Sequence, residues 1–167
     1  MKTKSMLQTL CVLMLTWSLF AGAEQQPKPD LLGVVSADAI LALHEFQREY
    51  ERSHSATYAN PAFDREINLV VLFGSWCHDS QREVPRLMKT LEANNIVNVQ
   101  YVAISRDKKA PDDIVATYKL AYTPTVIVLR QGVELGRIVE QPQGDWMTHL
   151  RTLIQTPLRD SIISLNP

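Results

Sequence analysis

One stretch decides the fold of this chain: LVVLFGSWCHDS, residues 69–80. Its apolar first half is typical of a strand that is buried on both faces of a sheet. Its polar second half begins a helical pattern that continues to about Ala93. Cys77 is therefore predicted to lie where a buried strand ends and a helix begins. The partial positive charge of a helix N-terminus favours the thiolate form of a cysteine at such a position.

The first 23 residues have the pattern of a secretory signal peptide. Two lysines precede an apolar stretch at residues 6–20, and Ala21-Gly22-Ala23 supplies the small residues of a cleavage site. The apolar stretch is shorter than the roughly 20 residues of a membrane-spanning helix. We therefore expect cleavage after Ala23, export with the periplasm as the destination, and no membrane association of the mature chain.

Removal of this leader would leave a single cysteine, Cys77, because Cys11 lies within the leader. The remaining 144 residues suffice for one domain. Loss of the leader's two lysines changes the formal net charge from −1 to −3, a balance that gives no basis for nucleic-acid binding. In an oxidising compartment, an unpaired thiol is reactive, forms an intermolecular disulfide, or is buried as a small apolar group.

Hydrophobic periodicity predicts one domain at residues 31–155, between a polar N-terminal segment (24–30) and a C-terminal tail (156–167). Strands are expected at residues 31–35, 68–73, 99–105, 125–129 and 136–140. Helices are expected from Ser36 to about residue 50, at about 80–93 and 111–118, and after Asp145. The order β-α-β-α-β-α-β-β-α predicts an α/β fold with a central mixed β-sheet flanked by helices.

Four landmarks in this order make residues 31–154 similar to the thioredoxin family. Trp76-Cys77 matches the start of the family's redox motif, and Pro85 matches a proline that kinks the following helix. Thr123-Pro124-Thr125 matches the proline that the family holds in cis opposite the redox cysteine, and Gly132 matches a turn between the last two strands. The resemblance implies the thioredoxin fold.

Three positions depart from the family pattern. Ser80 stands in place of the second, resolving cysteine, Val71 in place of a buried carboxylate, and Glu140 in place of a glycine of the substrate groove. The string Trp-Cys-x-Asp-Ser, followed by Val-Pro-Arg, resembles a bacterial subgroup with a single cysteine. A chain with one thiol cannot perform the dithiol cycle, so a monothiol mechanism is expected.

The predicted catalytic residues are Cys77, His78 and Ser80. A protonated His78 and the Ser80 hydroxyl, one helical turn from Cys77, would both stabilise a thiolate. Asp79 would oppose this effect unless its carboxylate turns away. The residues alone leave open a solvent-facing His78 and a Ser80 that only starts the helix.

The predicted substrate-binding residues are Trp76, Thr123 and Pro124. Trp76 would shield one side of the thiol. The cis bond that the resemblance implies before Pro124 would place the Thr123 backbone where an extended substrate could hydrogen-bond to it. No cofactor is expected. No metal site is predicted either, because adjacent Cys, His and Asp residues rarely converge on one ion.

Three functions fit this pattern. The first is thiol–disulfide exchange through Cys77, with proteins or glutathione supplying the partner thiols and disulfides. The second is a non-enzymatic module that binds a protein partner through the groove around Trp76 and Pro124. The third is peroxide reduction, which is disfavoured because the threonine-containing motif of peroxiredoxins is absent. A disulfide-linked dimer through Cys77 is left open.

Overall fold

A mixed β-sheet forms the centre of the protein in a computed structural model, which describes residues 30–54, 66–94 and 98–155. Its strands are β1 (Gly33–Val35), β2 (Ile67–Phe73), β3 (Val99–Ala103), β4 (Thr125–Arg130) and β5 (Val133–Val139). Their order across the sheet is β1-β3-β2-β4-β5. The central strand β2 pairs parallel with β3 and antiparallel with β4. The edge strand β1 pairs antiparallel with β3, and the edge strand β5 pairs antiparallel with β4. The predicted mixed sheet is confirmed.

The helices that flank this sheet are α1 (Ala37–Leu41), α2 (His44–Arg52), α3 (His78–Ala93), α4 (Ile114–Thr117) and α5 (Trp146–Gln155). A 3₁₀ turn, Pro111–Asp113, leads into α4. Within the described ranges, none of the helices has the length and apolar content to cross a membrane. The predicted leader and C-terminal tail lie outside the described residues.

The alternation of side chains along β2 divides the core into two parts. Leu69, Val71 and Phe73 face the larger part, which also contains the apolar faces of α1, α2, α3 and α5. Val70 and Leu72 face the smaller part, on the side of α4. Because both faces are covered, β2 reads as the continuous apolar run that the sequence shows.

The single helix predicted from Ser36 to about Tyr50 is wrong. The Ser36 hydroxyl does cap α1 by accepting a hydrogen bond from the Ala39 amide (3.2 Å), but α1 ends at Leu41. The chain is extended at Leu43, and α2 then begins at His44. In an unbroken helix, residues six apart would lie about 120° apart around the axis. The break allows Ile40 and Phe46 to be fully buried in the same core.

Other element boundaries also differ from the prediction. Strand β5 begins at Val133 instead of residue 136, and the pairing of β4 with β5 has a register shift at Val128/Leu129. Strand β3 ends at Ala103. The predicted helix at 111–118 is divided into a 3₁₀ turn and α4, because Asp113 adopts a left-handed φ of 50°.

Candidate active site around Cys77

Cys77 is the N-cap residue of α3 and directly follows the loop that leaves β2. Its backbone is extended, its amide donates to the Gly74 carbonyl (3.0 Å), and its carbonyl accepts from the Gln81 amide (2.9 Å). The half-buried thiol makes no capping hydrogen bond to the helix and instead donates to the Thr123 carbonyl, with Sγ 3.2 Å from the oxygen. The sulfur is thus held at a helix N-terminus while remaining partly accessible.

The Thr123 carbonyl, next to Pro124, lies opposite this sulfur, as the family resemblance implies. The peptide bond between Thr123 and Pro124 is cis, and Thr123 is buried. On either side, the Thr125 hydroxyl donates to the Tyr122 carbonyl (2.7 Å), and the Pro124 carbonyl accepts from the Glu140 amide (2.7 Å). These bonds fix the segment whose carbonyl faces Cys77.

Trp76 is held beside Cys77 by its indole nitrogen, which donates to the Ile104 carbonyl (3.0 Å). The ring passes over Gly74 so closely that a Cβ there would lie 2.7 Å from the indole. Any larger residue at position 74 would therefore force the Trp76 ring to move. The Arg106 guanidinium carbon lies 5.4 Å from the centre of the indole ring, within the range of a cation–π contact.

Ser80 and His78 have different surroundings. The Ser80 side chain is fully buried, and its hydroxyl oxygen accepts a hydrogen bond from the Gly74 amide (3.2 Å). It thereby fastens the β2–α3 loop to the first turn of α3. His78, the first residue of α3, is exposed. A hydrogen bond from the Ser80 hydroxyl to a Cys77 thiolate, and a charge contribution from His78, both stay predictions.

The Asp79 carboxylate is engaged by Arg82, one turn further along α3. The distance from Arg82 Nη2 to Asp79 Oδ1 is 2.7 Å, and Arg82 Nε also donates to Glu83 Oε1 (2.8 Å). The hydrogen bond to Glu83 is the main cause of a raised Arg82 pKa, with Asp79 contributing further. The cation partly offsets the negative charge that Asp79 would otherwise present near the thiol.

Glu83 is a buried carboxylate that the sequence reasoning missed. It is 4% exposed and accepts hydrogen bonds from Arg82, from Arg86 (3.3 Å) and from the Trp146 indole nitrogen (3.2 Å). Arg86 also pairs with Glu49 of α2 (2.7 Å). We call Glu83, Arg82, Arg86 and Trp146 the Glu83 cluster. In the sequence, the charged residues of this cluster in α3 resemble an ordinary solvent-exposed helix face. Nothing in the sequence therefore indicated that Glu83 is buried.

The loop that follows β3 carries further charged residues, and Lys108 among them reaches Tyr122, next to Thr123. Lys108 donates from Nζ to the Ala121 carbonyl (2.5 Å) and lies 5.7 Å from the centre of the Tyr122 ring. Asp107 pairs with Lys109 (2.7 Å), and hydrogen bonds from Lys109 and then Ser105 lower the pKa of Asp107 to about 2. The run Arg-Asp-Lys-Lys after a strand was the available signal for this loop, and the sequence reasoning did not use it.

The fold and this site define a class of α/β protein that presents a thiol at a strand–helix junction, against the carbonyl that precedes a cis-proline. A protein-family model described as Thioredoxin matches residues 41–151, which is more than half of the chain. The chain belongs to the thioredoxin family, and the predicted fold is confirmed. Membership supports a general role in thiol–disulfide redox chemistry.

Several solved structures are similar to the chain. An HIV epitope scaffold has 23% identity and a TM-score of 0.49, covering 80% of this chain and 94% of the scaffold. Thioredoxin from Fasciola hepatica has 21% identity and a TM-score of 0.39, covering 53% and 78% of the two chains. Thioredoxin from Trypanosoma brucei brucei has 21% identity and a TM-score of 0.37, covering 68% and 94%. A comparison with curated proteins gives no significant match. The family assignment rests on the family model.

Proposed function

We propose that this is an exported, single-cysteine member of the thioredoxin family that exchanges disulfides through Cys77 alone. The observation that carries the proposal is the half-buried Cys77 sulfur, held at the start of α3 and 3.2 Å from the Thr123 carbonyl. At the position of a resolving thiol stands Ser80, whose buried hydroxyl is bonded to the loop. This combination supports attack on a disulfide without internal resolution.

The proposed reaction has two balanced steps. The Cys77 thiolate attacks one sulfur of a substrate disulfide, forming a mixed disulfide and releasing the other sulfur as a thiolate. A second thiolate, from glutathione or from the substrate protein itself, then attacks the mixed disulfide. This step regenerates the Cys77 thiolate and leaves a new disulfide on the attacking partner. The net result is exchange or isomerisation without a second cysteine in this chain.

The Thr123 carbonyl has a role in both the free protein and the proposed complex. In the free protein it accepts the Cys77 S–H. Once the thiol loses its proton, the carbonyl no longer has this donor and faces a negative sulfur. A backbone N–H of an extended substrate can then replace the lost donor. The Thr123 carbonyl would therefore serve as a backbone acceptor for the bound substrate.

The test is to incubate the mature protein, residues 24–167, with glutathione disulfide and to follow the product by intact mass. We expect one glutathionyl group on Cys77, formed faster than the mixed disulfide of free cysteine, and its removal by added thiol. Cys77→Ser is the matched control and should gain no mass. A reaction no faster than that of free cysteine would contradict the exchange function.

A second candidate function is favoured by the exposed aromatic surface of the groove. The Tyr122 side chain is 59% exposed next to Thr123-Pro124, and Val71 provides no carboxylate for proton transfer. Such a surface suits a module that binds a protein partner without chemistry. A Cys77→Ser variant that retains full biological activity would support this function and oppose disulfide exchange.

Export is part of the proposal and has its own test. Expression of the full chain in a Gram-negative host, followed by osmotic-shock fractionation and N-terminal analysis, should give a periplasmic protein that starts at Glu24. Replacing the charged and apolar leader residues 2–20 with a polar sequence should leave the protein in the cytoplasm. An uncleaved, membrane-associated chain would contradict this part of the proposal.

A further inference from the structure

The backbone segment Tyr122-Thr123-Pro124 connects two groups of opposite charge. At one end, the Lys108 ammonium lies 5.7 Å from the centre of the Tyr122 ring. In the middle, the Thr123 carbonyl faces Cys77 Sγ at 3.2 Å. At the other end, the Pro124 carbonyl accepts the Glu140 amide at 2.7 Å. The reacting sulfur thus faces the centre of a short strip, which we call the groove strip.

The basic end of the groove strip carries Lys108 and Arg106, both exposed. Arg106 lies over Trp76, the residue next to Cys77. Asp107 stands between these two cations in sequence but is paired with Lys109 at 2.7 Å. The pair between Arg106 and Asp30 (3.2 Å) is largely exposed, with side chains 68% and 44% accessible, and such pairs are weak. This end therefore presents positive charge to a ligand.

The acidic end of the groove strip is built on an unfavourable backbone conformation. Glu140 has a φ of 62°, and the Gln141 amide donates to the Val139 carbonyl (2.7 Å), closing a three-residue turn around Glu140. Residues other than glycine rarely adopt this conformation. The Glu140 side chain is exposed, and within the described ranges its carboxylate has no hydrogen-bond or ion-pair partner. Glu140 thus carries an exposed negative charge on a residue whose backbone amide is bonded to Pro124.

We propose that this polarised groove selects disulfide substrates with an acidic residue on one side of the reacting cysteine and a basic residue on the other. The acidic residue would lie near Arg106 and Lys108, and the basic residue near Glu140. An extended chain advances about 3.3 Å per residue, so the charges would lie one or two positions from the cysteine. The inference rests on the proposed exchange function and names its substrate class.

Three capped peptides test this preference: Gly-Asp-Cys-Lys-Gly, Gly-Lys-Cys-Asp-Gly and Gly-Gly-Cys-Gly-Gly, each as a mixed disulfide with 2-thiopyridine. Attack by the Cys77 thiolate on the peptide sulfur joins the peptide to Cys77 and releases pyridine-2-thione, which is followed by absorbance. For each protein variant, the reaction rates of the two charged peptides are divided by the reaction rate of the uncharged peptide. We expect one charged order to react about tenfold faster than the other, because several weak exposed charge pairs act together.

The preferred order should reverse in Arg106→Glu/Lys108→Glu/Glu140→Lys. Arg48→Glu on the exposed face of α2 is the matched control, because it changes the net charge by the same two units, and it should keep the wild-type preference. The milder variants, the double Arg106→Gln/Lys108→Gln and the single Glu140→Gln, should each reduce the preference. They replace the triple variant in the test if the triple variant does not fold. Salt at about 1 M, where the Debye length is about 3 Å, should abolish the preference.

The outcomes separate this inference from the function on which it rests. Equal rates for the two charged orders in the wild type, or a preference that the triple variant and both milder variants leave unchanged, would overturn the polarised groove while leaving disulfide exchange intact. No reaction with any of the three peptides would refute the exchange function, and the inference with it.

Discussion

The thiol of Cys77, at the N-cap of α3, and the carboxylate of Glu83, within α3, lie six residues apart in surroundings of opposite character. The thiol donates to the Thr123 carbonyl, and the nearby Asp79 carboxylate, in the first turn of α3, pairs with Arg82. Glu83 instead accepts hydrogen bonds from two arginines and from the Trp146 indole. The first region leaves its reactive group weakly engaged, whereas the second satisfies its charge with three donors.

A buried carboxylate near a redox motif therefore need not take part in disulfide exchange. The position at which the family has its buried carboxylate is occupied by Val71, which is fully inaccessible. Glu83 lies instead among α2, α3 and α5, where it joins helices on one face of the sheet. We expect substitutions in the Glu83 cluster to change stability, and substitutions at the loop around Cys77 to change reactivity as well.

The largest loss of stability is expected for Glu83→Ala. The change leaves Arg82, Arg86 and the Trp146 N–H without their shared acceptor. Breaking a fully buried ion pair costs roughly 3–5 kcal/mol, and the partial exposure of both arginines reduces this to about 2–3 kcal/mol of unfolding free energy. Urea denaturation measures the loss. The rate of reaction of Cys77 with glutathione disulfide should change by less than about twofold.

The matched control is Glu92→Ala, whose carboxylate is exposed near the other end of α3, pairs with Lys89 at 3.5 Å and accepts a hydrogen bond from the Tyr50 hydroxyl. Because this carboxylate is exposed, its loss should lower the unfolding free energy by less than Glu83→Ala does. The separation of the two regions would fail if Glu83→Ala lost no more stability than Glu92→Ala. It would also fail if Glu83→Ala slowed the reaction of Cys77 with glutathione disulfide by clearly more than about twofold.

Gly74→Ala tests the other region and should cost about 2 kcal/mol. The added methyl group would lie 2.7 Å from the Trp76 ring, so the ring must move and its bond to the Ile104 carbonyl must weaken. We expect a changed near-ultraviolet circular dichroism spectrum and slower exchange at Cys77. Gly132→Ala is the control: its added methyl group would enter open space, and only the φ of 82° at this position disfavours alanine. That variant should lose about 1 kcal/mol and keep its exchange rate.

Ser80→Ala should lower the unfolding free energy by about 1–2 kcal/mol, because the Gly74 amide loses its buried acceptor. The same variant tests the predicted catalytic role of Ser80. If the hydroxyl also donates to the Cys77 thiolate, alkylation of Cys77 at neutral pH should change by more than in Gly132→Ala. Equal alkylation rates in the wild type and Ser80→Ala would limit Ser80 to the structural role.

The smallest effect, about 1 kcal/mol, is expected for Asp145→Ala, which removes the cap that positions Trp146 and α5. Asp145 accepts from the Thr148 amide (2.9 Å) and the Thr148 hydroxyl (2.7 Å), and the hydroxyl bond is the main cause of its lowered pKa. An aspartate with a lowered folded-state pKa stabilises the protein fully above about pH 3.9, its unfolded value. This contribution is lost as the pH falls through the folded-state pKa.

Urea titrations at pH 7 and at progressively more acidic pH test this linkage. The difference between the wild type and Asp145→Ala should be constant above about pH 5 and decrease below about pH 4. A difference that is independent of pH would show that the Asp145 charge contributes nothing to the stability of the start of α5.

The residues around Cys77 were predictable because each has a local or motif-based signal. The apolar run of β2, the polar start of α3 and Thr123-Pro124 are continuous stretches of sequence, and their juxtaposition follows from the family resemblance. The break between α1 and α2 had no such signal. It depends on Phe46 reaching the core, where its ring packs edge-to-face against Phe73 at 5.8 Å. Only the folded sheet supplies that partner.

The Glu83 cluster and the basic end of the groove strip escaped prediction for a related reason. Charged residues on a helix or a loop usually face solvent, so Glu83 reads as exposed until Trp146, far along the chain, covers it. In the same way, Lys108 reads as an ordinary loop cation until the fold brings it to Tyr122. Both depend on contacts between segments that the local pattern does not relate.

The hydrogen bond from the Gly74 amide to Ser80 also has a consequence for how the sequence can change over time. A single substitution, Ser80→Cys, would convert this site into a site with two thiols. Sulfur is a weaker acceptor than the hydroxyl oxygen it would replace, and it is larger in a fully buried position. The substitution would therefore weaken the bond that holds the loop in the same step that adds a second thiol. A second thiol at position 80 would thus come at a cost in stability of the loop that carries Cys77.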